Sequence, residues 1–79
     1  MIQILLFGPV ADLAGTRKLA LGYLPGMTLG DALAQFETRY PQAAAAISFT
    51  AINETQVRDR QHLLADRDTL ALMAGFSGG

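Results

Sequence analysis

The sequence predicts an α+β fold: a mixed sheet with its first and last strands parallel at the centre and one main helix packed on one face. Three observations predict it. The two most apolar short runs, Ile2 to Phe7 and Thr69 to Met73, lie near opposite ends of the chain. One clear amphipathic helix begins at Thr28, and the other segments read as short strands and turns. A helix that crosses one sheet face between two neighbouring strands makes them parallel, and the most apolar strands belong in the middle.

Each element has a local reason. Ile2-Gln3-Ile4-Leu5-Leu6-Phe7 is rich in strand formers and stops at Gly8-Pro9, so it reads as a strand buried on both faces. Pro9 to Ala14 suits a short helical turn, with Pro near its start and Gly15 as its stop. Lys18 to Tyr23 alternates through Leu19, Leu21 and Tyr23 and pairs back on the first strand; Leu24-Pro25-Gly26 breaks it.

At Thr28 a side-chain oxygen is available to cap free backbone N–H groups, and Asp31 stands three residues on, as in a capping box with Asp for Glu. Leu29, Ala32, Leu33, Phe36 and Tyr40 share one helical face, while Gln35, Thr38 and Arg39 point away. Pro41 ends the helix or opens a further turn through Ala43 to Ala46. Phe49 to Asn53 reads as a strand turning at Asn53-Glu54 into a short return over Thr55 to Val57. Leu63 and Leu64 supply core anchors, Ala65 to Asp68 makes a turn, and Thr69 to Met73 is the last strand. The order describes a ubiquitin-like β-grasp roll. A ferredoxin-like arrangement needs a second full helix after Asn53, and Arg58 to Leu64 is too short for one.

Size and composition bound the function. A chain of 79 residues makes one small domain, and such a domain buries only about 60–65% of its unfolded surface. That favours work through a surface or an end over an enclosed active site. Half of the residues are hydrophobic and 16% are charged, as in a folded globule. With a net charge of −1, and with Arg58, Arg60 and Arg67 interleaved with acids, no cationic face for nucleic acid is present. The chain contains no cysteine, so disulfides and thiolate metal sites are excluded and any sulfur it handles is held on another group. Met1 to Phe7 is too short to cross a bilayer and lacks a charged leader, so a cytoplasmic location is expected, with no membrane partner.

The sequence finishes Ala74-Gly75-Phe76-Ser77-Gly78-Gly79. We divide it into a body, residues 1–74, and a flexible Gly-Gly tail, residues 75–79. A frayed terminus is the bland reading. The functional reading starts from glycine, which has no side chain and lies extended in a channel where any Cβ would clash. A free α-carboxylate on Gly79 is a handle that adenylation converts into an electrophile, and a sulfur nucleophile then yields a thiocarboxylate. Ordering residues 75–79 costs roughly 5–10 kcal/mol, against roughly 1.5–3 kcal/mol from burying Phe76. A folded partner must therefore grip the body too, through an apolar patch on the sheet.

Taken in order, several segments resemble the small, sulfur-carrier subunit of molybdopterin synthase. They are Ile2 to Phe7, Asp12-Leu13-Ala14-Gly15-Thr16, Thr28-Leu29 with Ala32-Leu33, Ala51-Ile52-Asn53-Glu54-Thr55, Leu64 with Asp66-Arg67-Asp68, and Ser77-Gly78-Gly79. The resemblance implies that a ubiquitin-activating-like adenylyltransferase uses ATP to adenylate Gly79, which is then sulfurated. It implies that Gly75, Phe76, Ser77 and Gly78 thread a channel of the synthase large subunit. There sulfur passes to a cyclic pyranopterin precursor to form the molybdopterin dithiolene, within a heterotetramer. The chain is then a carrier subunit of a sulfurtransferase that binds no cofactor itself. The family tail usually carries Pro-Pro and an aliphatic residue where Ala74, Gly75 and Phe76 stand here.

Other residues are weighed against plainer roles. His62 is the only histidine and reads as structural; Asp66 and Asp68 read as turn residues. No metal site is expected. Ser77 has no base near it in sequence and reads as a spacer. Phe7 and Met73 flank the central strands and are the candidate docking residues, with the core as the default place for both. Three rival functions stand beside the first. They are a carrier for thiamine thiazole synthesis, a ubiquitin-like modifier joined to lysines, and an inert β-grasp interaction module.

Overall fold

In the computed structural model residues 1–75 are described; Phe76, Ser77, Gly78 and Gly79 lie outside the described residues. Strand β1 (Ile2–Leu6) pairs antiparallel with β2 (Lys18–Leu21) and parallel with β5 (Thr69–Met73). On the other side β5 pairs antiparallel with β3 (Phe49–Ile52), which pairs with the two-residue β4 (Thr55–Gln56). The strand order is β2-β1-β5-β3-β4, so the first and last strands are central and parallel. This is the β-grasp arrangement expected from the sequence.

Helices α1 (Gly8–Ala14), α2 (Leu29–Arg39) and α3 (Pro41–Ala45) cover one face of the sheet. Ile2, Ile4, Leu6, Leu21, Ile52, Leu70 and Leu72 point into that layer. They form one core with Val10, Ala11, Leu29, Ala32, Phe36, Ala43 and the loop residues Met27 and Leu64. Alternation makes the other face different. Gln3 is exposed and Leu5 half-buried, so β1 is buried on one face, not on both as its apolar run suggests. Leu64 is an anchor, whereas Leu63 is 65% exposed and is not. Two neighbours on an extended segment point opposite ways, so only one of them reaches the core.

Helix α2 starts as its sequence directs. The Asp31 N–H donates to Thr28 Oγ1 at 3.1 Å and the Thr28 N–H donates to Asp31 Oδ2 at 3.0 Å, a complete capping box. The two free donors at Leu29 and Gly30 go to the carbonyls of His62 (2.9 Å) and Arg60 (2.7 Å), which ties the 57–64 loop to the helix. At the end of α1, Gly15 adopts φ 75° and its N–H bonds the Ala11 carbonyl, a left-handed cap for which glycine carries no steric cost. Asn53 and Glu54 both take positive φ (50° and 72°) in the β3–β4 turn. Asp68 accepts from the Asn53 side-chain amide at 2.9 Å and from the Ala65 N–H at 2.7 Å, a turn role as its sequence setting indicates.

Candidate functional site

The uncovered face of the sheet carries the candidate site. Residues paired across a sheet share a face, so the registers Leu5↔Ala71, Ala51↔Ala71 and Phe49↔Met73 lay an apolar stripe over β1, β5 and β3. Phe7 follows β1 in the phase of Leu5. It is 48% exposed, and its ring is not in the core, the default place for it from the sequence. Phe49 is 39% exposed, and Met73 is half-buried.

At the end of β5 this stripe deepens into a cleft of about 460 Å³ lined by Phe7, Gly8, Pro9, Phe49, Met73, Ala74 and Gly75. Both sequence-derived docking candidates, Phe7 and Met73, therefore stand in one cleft. Two backbone bonds hold its floor, since the Phe7 N–H donates to the Leu72 carbonyl at 3.2 Å and the Ser48 N–H to the Met73 carbonyl at 2.8 Å. Gly75 lies against Ser48 and Phe49, because a Cβ built on it would stand 3.2 Å from Ser48 Oγ and 3.6 Å from Phe49 Cε2. The other candidates, Phe76, Ser77, Gly78 and Gly79, are outside the described residues.

Neither Phe49 nor Pro9 stands out as a site residue in the sequence. The signal for Phe49 is its phase. In a strand that buries Ile52 with Leu70, Phe49 falls on the opposite face with Met73. Nothing in the sequence alone reveals that Gly8-Pro9 closes the cleft.

The cleft's chemistry is simple. Among the described residues its lining carries no titratable or nucleophilic side chain, so these residues offer shape and apolar contact. His62 is exposed on the 57–64 loop, and among the described residues no group of three or more His, Asp or Glu side chains is placed to hold a metal ion. Among the described residues the one carboxyl with a clear shift is Asp66, held below its ordinary value by a hydrogen bond from the N-terminal ammonium; it belongs to the 65–68 turn, not to the cleft. No helix among the described residues is long and apolar enough to cross a membrane.

A family model described as the ThiS family matches residues 4–79. No curated protein matches the chain significantly. Among solved structures the crystal structure of SAMP1 from Haloferax volcanii is 25% identical, with a TM-score of 0.85 over 99% of this chain and 98% of that one. The complex of subunits 1 and 2 of molybdopterin-converting factor from Helicobacter pylori matches at 16% identity and a TM-score of 0.73, over 99% of this chain and 97% of that one. Urm1 from Trypanosoma brucei matches at 18% identity and a TM-score of 0.72, over 99% and 94%. At these last two identities the likeness is one of fold.

Proposed function

The chain belongs to the ThiS family, and from that premise we propose that it is a sulfur carrier whose working group is the α-carboxyl of Gly79. The observation that carries this reading is the family match itself, which runs through Gly78 and Gly79. The cleft supports it from the other side. A surface with no reactive side chain serves recognition, which leaves the chemistry to a backbone carboxylate and to a partner.

In the proposed cycle an ATP-dependent adenylyltransferase joins the Gly79 carboxylate to AMP and releases pyrophosphate. A hydrosulfide equivalent then attacks the acyl carbon and forms a C–S bond. The acyl C–O bond to AMP breaks, AMP departs with that oxygen and the electron pair, and the thioacid loses its proton to leave a thiocarboxylate. The body binds no cofactor and contributes docking through Phe7, Phe49 and Met73, while residues 75–79 form the tail that enters the partner. We further propose a cytoplasmic setting, molybdopterin synthesis as the destination of the sulfur, and a large synthase subunit in a heterotetramer as the partner. The sequence resemblance supports these. The Helicobacter pylori structure, in which a chain of this fold is complexed with a second subunit, is consistent with such a partner.

Appending one residue after Gly79 tests the reading. The added residue moves the reactive carboxyl without touching the body, so sulfur loading is expected to vanish while the thermal midpoint stays put; loading that survives overturns the proposal. A second reading, a modifier joined to lysines, is favoured by the match to SAMP1, a small archaeal modifier protein, over 99% of this chain and 98% of that one. Isopeptide adducts between Gly79 and lysines of other proteins, rather than a discrete thiocarboxylate, distinguish it.

A further inference from the structure

Taking the carrier reading above as given, we infer that Ser48 and Phe49 are positioning residues that set the root of the tail, and that Gly75 is the surface they act on. The end of β5 is clamped on both flanks, by the Phe7 N–H bond to the Leu72 carbonyl and the Ser48 N–H bond to the Met73 carbonyl. Ala74 packs against the core. Gly75 then meets Ser48 so closely that an added Cβ would lie 3.2 Å from Ser48 Oγ and 3.3 Å from Ser48 Cβ. The backbone of Gly75 is outside the left-handed region, so sterics alone oppose a side chain there.

The geometry has a consequence for reach. Four residues follow Gly75, and fully extended they span at most about 13–14 Å. With the root held beside Phe49, the carboxyl of Gly79 can reach only points within that radius of the cleft. A partner that docks on Phe7, Phe49 and Met73 thus finds the carboxyl at a bounded distance, and a side chain at position 75 shifts the origin of that radius.

The test uses Gly75→Ala, Ser48→Gly and the double variant, each as the full chain purified from the cells that make it. Nuclear Overhauser contacts from the residue-75 Hα to Ser48 Hβ and the Phe49 ring are expected in the parent. The Phe49 contacts are expected to be lost or shifted in Gly75→Ala and to return in the double variant. Intact-mass measurement is expected to show most of the thiocarboxylate lost in Gly75→Ala and regained in the double variant, with the thermal midpoint of Gly75→Ala near that of the parent. Rescue by removing the Ser48 side chain is a result that general damage to the tail would not give. Full loading of Gly75→Ala, or no recovery in the double variant, overturns the inference. If the parent carries no sulfur, the carrier reading fails instead, and the Overhauser contacts alone decide whether the root is set by Ser48 and Phe49.

Discussion

Phe49 on β3 stands directly opposite Met73 on β5, and the pair lies on the sheet face that no helix among the described residues covers. Aromatic and Met side chains left on an open face are costly in solvent and favourable in an interface, where a few such anchors carry most of the binding energy.

Truncating either anchor should therefore separate binding from folding. Phe49→Ala or Met73→Ala is expected to weaken partner affinity by about 2 kcal/mol, or roughly 30-fold in Kd. Because Phe49 is 39% exposed, its truncation should move the thermal midpoint by less than about 5 °C. Calorimetric titration with the activating enzyme, beside a melting curve, checks both halves.

How much of this was legible in the sequence depends on where each residue's partners lie. Helix α2 could be read in detail because its signals are local: Thr28 and Asp31 cap each other across three residues, and the Leu29–Ala32–Phe36 stripe has a helical period. The parallel central pair followed from the apolar runs and the crossing helix. The differences between pattern and structure have one physical origin. Leu5 and Phe7 look like core residues because periodicity reports apolar character without saying whether the apolar neighbour is in this chain or another. The same holds for Leu63 beside Leu64, where the direction of an irregular loop decides which leucine is buried. The cleft joins Gly8-Pro9, Phe49 and the end of β5, segments separated by tens of residues, and only the sheet order brings them together.

The capping box gives a clean stability test. Thr28→Ala leaves the Asp31 N–H without its side-chain acceptor, which is expected to cost about 1 kcal/mol. For a chain of this size that lowers the thermal midpoint by roughly 4–8 °C, and Thr28→Ser should recover most of it. No change on removing the hydroxyl would show that water replaces the cap at no cost.

The β3–β4 turn offers a stabilising change. Glu54 holds φ 72° directly after Asn53 at 50°, and a residue with a Cβ is strained there where glycine is not. Glu54→Gly is expected to raise unfolding free energy by about 0.5–1 kcal/mol. In urea it should appear as a higher midpoint at unchanged slope.

Asp66 sets a pH dependence of known sign. The hydrogen bond from the Met1 ammonium, opposed by desolvation and aided by the ammonium charge and the Arg67 N–H, holds its carboxyl below the ordinary 3.8. A carboxyl depressed in the folded state adds stability above its unfolded pKa and loses that contribution as pH falls through the folded value. The two partners are 68% and 57% exposed, so the effect is small. Urea midpoints of the parent and Asp66→Asn are expected to differ at neutral pH and to converge as pH falls below about 4.

Whether Gly79 carries the sulfur is measured directly by the intact mass of the protein isolated from the cells that make it. The expected spectrum contains a species in which one oxygen is replaced by sulfur, localised by fragmentation to the last peptide and absent when Gly79 is deleted. A single unmodified mass under conditions of active sulfur transfer, or a deletion variant that supports cofactor synthesis as well as the parent, would contradict it.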